Sequence, residues 1–170
     1  MPPRPEMVLI AHNIRSLHNV GSLFRTCDGA GVRHLYLTGY SGFPPRKEIS
    51  KTALGAENTV SWSHHWEIET VLFELSQQQY TILAVETLPE SLPYTDLRVP
   101  DRVALILGNE VDGLEPELLE YVDASLCIPM YGQKNSLNVA VCGGVMLYGL
   151  LAAYRFQHQA SIPHTTELYG

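Results

Sequence analysis

Apolar residues along this chain fall alternately into short solid runs and helical stripes. Met7 to Ala11 is an apolar run that predicts a strand. Val20, Leu23, Phe24 and Cys27 then recur at i, i+3, i+4 and i+7, which predicts a helix over Asn19 to Ala30. Gly29 and Gly31 would end that helix, and "HLYLT" (His34 to Thr38) reads as the next strand. Beyond the Gly/Pro/Ser-rich loop "GYSGFPPRKE", the pattern predicts a short helix at Ile49 to Leu54 and a short strand at Thr59 to Trp62. A helix at Trp66 to Gln79 and a strand at Tyr80 to Glu86 come next.

"TLPESLPYTDLRVPD" reads as a long irregular connection, and "VALIL" (Val103 to Leu107) as a strand apolar on both faces. A helix over Glu115 to Tyr121 tolerates Pro116 in its first turn. A strand at Ser125 to Ile128 and a long helix from about Ser136 to Arg155 complete the pattern. Six strands interleaved with helices imply an α/β fold, a mainly parallel six-stranded sheet with helices on both faces. Residues 1–156 are expected to form a single domain, and residues 157–170 a short flexible tail.

Composition narrows the class. With 170 residues, 45% hydrophobic and 17% charged, the chain suits one globular domain. Cys27, Cys127 and Cys142 are odd in number and lack C-x-x-C spacing, which favours a reduced, cytoplasmic setting. "MPPRPEMVLIAH" has no apolar run of signal-peptide length. The uncharged stretch Val139 to Tyr154 spans 16 residues and is interrupted by Gly143, Gly144 and Gly149. A membrane span needs roughly 20, so a buried helix or a subunit interface is expected there.

Net charge is −7, but it is unevenly spread. Residues 1–51 carry seven basic side chains against three acidic ones, and the remainder four against fifteen. Such asymmetry permits a local anion-binding face on an acidic protein.

Two motifs fail on context. "GAGVRH" from Gly29 has half of a dinucleotide fingerprint but sits at a helix end, where cap glycines explain it. His12 and His18 have zinc-ligand spacing, yet neither a cysteine pair nor an H-E-x-x-H accompanies them, so no metal site is expected.

Three other stretches carry more. In "LILGNEVDGL" an apolar strand runs into Gly108 and an acidic turn, the kind of strand end where α/β sheets bind ligands; Glu110 can accept hydrogen bonds there or face a cation. "SLCIPMYGQKNSLN" leads from a strand into a helix start with more polar groups than a cap requires, since Ser136 or Asn138 alone would suffice. "HNVGSLFRT" places Asn19 at the expected N-cap, Gly21 in the first turn and Arg25 near mid-helix.

Together, in this order, Asn19-x-Gly21-x-x-x-Arg25, "ILGNEVDGL" and "IPMYGQKNSLNVAV" resemble the three motifs of the SpoU (TrmH-like) RNA ribose 2'-O-methyltransferases of the SPOUT superfamily. "KTALGAE" (Lys51 to Glu57) is similar to the family's intermediate segment, and the resemblance covers about residues 7–155. It implies a C-terminal trefoil knot, S-adenosyl-L-methionine as cofactor, a homodimer and an RNA substrate. By position, the resemblance assigns the cofactor to Glu86, Thr87, Gly108, Asn109, Glu110, Ile128, Met130, Ser136, Leu137 and Asn138. It assigns catalysis to Arg25, with Asn19, Glu110, Ser136 and Asn138 in support; RNA contacts are expected of Arg15, Arg25, Arg46, Lys47 and Lys51, in the basic part of the chain. The chain has about fifteen residues after Arg155 and only a short segment before its first strand. Its size is similar to the compact tRNA enzymes of the superfamily while its motifs are closer to the TrmH type, so the target is a tRNA or an rRNA, with tRNA favoured. The alternative is a catalytically inactive RNA-binding protein of the same fold.

Overall fold

The structure, a computed structural model, describes residues 2–159. Its elements are β1 (Glu6–His12), α1 (Leu17–Ala30), β2 (His34–Thr38), α2 (Lys47–Ala53), β3 (Trp62–His65), α3 (Ile68–Gln77), β4 (Thr81–Val85), β5 (Leu92–Pro93), β6 (Arg102–Leu107), β7 (Ala124–Cys127) and α4 (Val139–His158). Single 3-10 segments occupy Ala56–Asn58, Tyr94–Asp96 and Pro116–Tyr121. The seven strands form one sheet in the order β3-β2-β1-β6-β4-β7-β5, and every strand pair in it is parallel. All seven strand ends of one sense therefore lie along one edge.

The apolar strands at the centre bury both faces. Met7, Leu9 and Ala11 of β1 face a core shared with α1 and α4, while Val8 and Ile10 face α3 and the 3-10 segment Pro116–Tyr121. Register continues this alternation into β6, where Leu9 pairs with Leu105 and Ile10 with Ile106. The expected two-faced α/β architecture is thus present.

Several details differ from the sequence expectation. The sheet has seven strands rather than six, because Leu92–Pro93 pairs with β7 from within the expected irregular connection. Two residues leave almost no periodic signal, and Pro93 is tolerated because β5 is an edge. β3 lies at Trp62–His65, not Thr59–Trp62. Its "WSHH" hides the strand because it is an edge whose polar side chains pair across it: His34 bonds Ser61 and Ser63 at 2.8 and 2.7 Å. Pro116–Tyr121 is 3-10 rather than α-helical, as short connecting segments often are.

α4 begins at Val139 rather than Ser136 and runs on to His158, past the expected end at Arg155. Gln157 and His158, expected in the tail, belong to this helix: the Gln157 amide bonds both Val99 N and Val99 O, and the His158 ring bonds Tyr154 O. The rest of the expected tail, 160–170, lies outside the described residues. At 20 residues α4 is long and apolar enough, by length and composition, to cross a membrane. Met146, Leu147, Leu150 and Tyr154 are buried in the core, whereas Val141, Tyr148 and Phe156 are exposed.

Glycine governs how closely the helices approach. The glycine ending α1 is Gly31, left-handed at φ 65°, as expected for a cap rather than a nucleotide loop. Gly21 sits where α1 crosses α2; a β-carbon there would collide with Thr52 Oγ1 and with the carbonyl oxygen of Ile49. Because one obstacle is backbone, the neighbour cannot rotate away. Gly21→Ala is expected to destabilise the fold by about 1–3 kcal/mol, the cost of overpacking, despite alanine's helix preference of about 1 kcal/mol. Chemical denaturation measures this, and an unchanged or raised midpoint would contradict the packing account.

Candidate active site

The carboxyl ends of β4, β6 and β7 open onto a cleft of about 310 Å³. Three distant stretches of chain form its walls: Val85 to Thr87, Leu107 to Gly113, and Cys127 to Val139 with Cys142. Of the residues assigned to a cofactor from sequence, Glu86, Thr87, Gly108, Asn109, Glu110, Ile128, Met130, Ser136 and Leu137 line this cleft. Asn138 stands just outside, capping α4. Val85, Leu107, Val111, Asp112, Gly113, Cys127, Asn135, Val139 and Cys142 also line it and were not singled out by sequence. Most of them lie within the motifs themselves without a role read for each, whereas Val85 precedes the Glu86 segment and Cys142 lies within what reads as plain core. Burial pushes the Cys142 thiol up to about 11, so it is a neutral wall near pH 7.

The loop from Gly108 to Leu114 is built to stay in one shape. Asn109 N donates to Gly113 O at 3.2 Å and Gly113 N to Asn109 O at 3.0 Å. A β-carbon on Gly108 would come within 2.7 Å of the Gly113 carbonyl carbon, so this narrow return needs glycine at its base. Asn109 then holds the loop with its whole side chain. Its Oδ1 accepts from Val111 N and Asp112 N at 2.8 Å each, and its Nδ2 donates to Asn13 O at 3.1 Å and Tyr40 Oη at 2.6 Å. Asn109 thus shapes the wall, with its side-chain groups already engaged.

Both flanks of the loop are anchored. Glu86 accepts from Leu114 N. Buried His12 bridges Thr38 Oγ1 at 2.8 Å and Glu115 Oε2 at 3.0 Å, and Asn13 Nδ2 donates to Glu115 Oε1 at 3.1 Å. His12, considered from sequence only as a metal ligand, is therefore an anchor for the loop's far end. Among the described residues, no group of three or more His, Cys, Asp or Glu is arranged to hold a metal ion.

Glu110, Asn19 and Asn138 meet at one point. Glu110 accepts from Arg15 N and Ser16 N at 3.3 and 3.4 Å, and from Asn19 Nδ2 at 3.5 Å. Asn138 Nδ2 donates to Asn19 Oδ1 at 3.2 Å, while its Oδ1 accepts from Ala140 N and Val141 N at 2.9 and 3.2 Å. Asn138 is thus the N-cap of α4. Asn19 is not the N-cap of α1, contrary to the sequence expectation. Ser16 holds that place and accepts from Asn19 N at 3.1 Å, because the helix starts at Leu17, before the periodic apolar stripe. That early start frees the Asn19 side chain to reach Glu110 and Asn138. A carboxylate is favourable beside the positive end of α1.

The cations lie elsewhere. Arg25 is exposed on α1 in a shallow depression with Ser22, Thr26, Gly29, Thr52, Gly144 and Tyr148, and does not line the cleft. Arg15 is exposed next to the cleft loop and bonded to Glu110 through its backbone. Arg46, Lys47 and Lys51 are exposed around α2, and none of these five forms an ion pair among the described residues. Ser136 lines the cleft in the exposed segment that precedes α4.

Known proteins match this arrangement. The profile of the SpoU rRNA Methylase family matches residues 6–148. A tRNA (guanosine(18)-2'-O)-methyltransferase of Aquifex aeolicus is 33% identical over 150 residues, which are 84% of this chain and 67% of that protein. The 23S rRNA (guanosine-2'-O-)-methyltransferase RlmB of Neisseria meningitidis is 32% identical over 84% of this chain and 57% of its own length. Among solved structures, an AdoMet-bound rRNA methyltransferase from Sinorhizobium meliloti superposes with a TM-score of 0.78 at 26% identity, over 88% of this chain and 57% of that one. The chain therefore spans little more than half the length of the last two.

The hydrogen bonds of Asn109 define a test. Asn109→Ala removes the bonds to the Val111 and Asp112 amides and is expected to cost about 1–3 kcal/mol, the net worth of two such bonds at about 0.5–1.5 kcal/mol each. Hydrogen exchange of those two amides should accelerate at least tenfold; unchanged protection would show that Asn109 does not hold the loop.

Proposed function

The chain belongs to the SpoU rRNA methylase family, and from that premise we propose that it transfers a methyl group from S-adenosyl-L-methionine to a ribose 2'-hydroxyl of a tRNA or rRNA. The observation that carries the reading is the charge of the cleft. Among the described residues its lining includes Glu86, Glu110 and Asp112 and no lysine, arginine or histidine. A sulfonium ligand with an ammonium group suits such a lining, whereas a pyrophosphate of a dinucleotide would be repelled. Ile128, Leu137 and Val139 supply apolar surface for an adenine face, and the Gly108–Gly113 return leaves backbone close to a ligand.

S-adenosyl-L-methionine, when bound, supplies a methyl group already activated on a positively charged sulfur. What the chain must add is help for a weakly acidic ribose hydroxyl. Arg25 takes that role, its guanidinium holding a neighbouring phosphate and stabilising negative charge as it grows on the 2'-oxygen. Asn19, Glu110 and Asn138 link α1, which carries Arg25, to the cleft loop and to the start of α4. Ser136 faces the cleft and orients the cofactor.

Arg25 acts in a homodimer on this reading. In supporting it, Val141, Val145, Tyr148, Ala152 and Phe156 recur on the side of α4 away from its buried residues, and Tyr148 borders the Arg25 depression. Pairing of two chains through this stripe is the arrangement that brings an arginine outside one cleft towards another. The reading also includes the trefoil knot. What supports it is the course of the chain after β7, which lines the cleft beside Glu86 and Gly108 before α4 packs back on the α1 core. Pulling apart the ends of the backbone in an experimental structure tests this, since an unknotted trace straightens completely.

Calorimetry with S-adenosylhomocysteine is the first test, and absence of binding would remove the enzyme reading. Arg25→Ala should leave that affinity nearly unchanged while lowering turnover about a hundredfold or more. Arg25→Lys should rescue poorly for want of the planar fork. Asn138→Ala should weaken cofactor binding itself. Full methylation by Arg25→Ala would refute the mechanism, and a catalytically inactive RNA binder would show RNA affinity without turnover in the parent chain. Light scattering should give the mass of a dimer; a monomer mass at all concentrations would sink the α4 interface.

A further inference from the structure

Beside the cleft, at the β3 end of the same sheet edge, stands a row of exposed rings. Trp66 is 70% exposed, immediately after β3, and Phe43 and Tyr40 are exposed in the loop after β2. The His64 ring lies between Phe43 and Trp66, 4.4 Å from the first and inclined by 35°, and 4.7 Å from the second in an edge contact at 83°, so the two exposed rings face different directions. The row is held in place rather than loose. His64 Nε2 donates to Gly39 O at 2.8 Å, and Phe43 also lies 6.3 Å from the Trp62 ring.

Its position relative to the cleft follows from the strand order. β2 and β1 separate β3 from β6, so the row is three strand spacings, roughly 14 Å, from the Gly108 end of β6. Tyr40 joins the two features, because its hydroxyl accepts from the Asn109 amide that shapes the cleft loop. Arg46, Lys47 and Lys51 follow Phe43 in sequence, exposed and without ion-pair partners among the described residues.

We propose that Phe43 and Trp66, braced by His64 between them, offer ring faces on which unpaired nucleobases flanking the nucleotide in the cleft stack, a two-ring platform with Arg46, Lys47 and Lys51 on the phosphates. The proposal rests on the RNA-methyltransferase reading and adds what that RNA must look like: a loop or single strand. Bases in a duplex hide their faces in the stack, whereas splayed bases stack on aromatic rings with little regard to sequence. Exposed lysines that follow Phe43 in the chain, without ion-pair partners among the described residues, fit phosphate better than a protein partner, since the cores of protein interfaces are depleted in lysine.

The test uses the full chain with saturating S-adenosylhomocysteine, a labelled unpaired RNA octamer of mixed sequence, and the same sequence as a duplex. Wild-type protein should bind the octamer more tightly than the duplex, and the octamer should quench its tryptophan fluorescence. Trp66→Leu should bind the octamer about tenfold more weakly or worse, Trp66→Phe should recover most of the loss, and S-adenosylhomocysteine affinity should be the same in all three. Trp66 packs little, so thermal melting should confirm that both variants fold. Failure of the wild type to bind the octamer, equal affinity in Trp66→Leu, or equal affinity for the duplex would each overturn the platform. A lower mass for Trp66→Leu at unchanged octamer affinity would assign the row to a protein contact and overturn it as well. If the octamer series holds while S-adenosylhomocysteine fails to bind, the methyl-transfer reading falls and the platform stands.

Discussion

Glu110, Asn19 and Asn138 converge from three parts of the chain separated by up to 119 positions, and the site depends on their meeting. Each brings a different element: the loop after β6, the first turn of α1 and the cap of α4. Helix starts leave backbone N–H groups without partners. Here Glu110 takes up Arg15 N and Ser16 N just ahead of α1, and Asn138 takes up two amides of α4. One small polar cluster thus satisfies two helix starts and joins them across the mouth of the cleft.

Around that cluster the rest of the site is arranged by rigidity rather than by a pre-placed set of reactive groups. The Gly108–Leu114 loop is bonded to itself, to Asn13, to Tyr40 and to Glu86, and the His12–Glu115 contact secures its far side. A ligand therefore meets a wall that is already formed, so less ordering has to accompany binding. Among the described residues no cation lines the cleft, although Lys134 is exposed in the chain segment that forms one wall. Arg15, Arg25, Arg46, Lys47 and Lys51 are displayed on α1, α2 and the residues just before them. That division suits the proposed reaction, with a cationic methyl donor inside and a polyanionic substrate outside, and it makes the proposed RNA substrate compatible with a net charge of −7.

The architecture itself was legible because it follows from patterns that water imposes locally. Solid apolar runs such as Val103 to Leu107 became the buried central strands, and the Val20, Leu23, Phe24 and Cys27 stripe became the inner face of α1. Signals failed where burial was incomplete. The polar edge strand β3 and the two-residue β5 owe their existence to neighbours, and nothing within four or two residues announces a partner strand. The motif residues were legible as a set, and nine of the ten assigned to the cofactor do line one cleft.

What the sequence alone determined is the α/β plan with helices on both faces of the sheet, the three motif segments and the identity of the residues that converge. What only the tertiary structure decided is which of those side chains remain available. Asn109 is consumed by its own loop, Asn19 is released from capping because Ser16 takes that place, and Arg25 stands apart from the cleft its motif accompanies. The physical reason is that a polar side chain has only a few donor and acceptor positions, and whether they are filled depends on neighbours brought close by packing, not on its spacing along the chain.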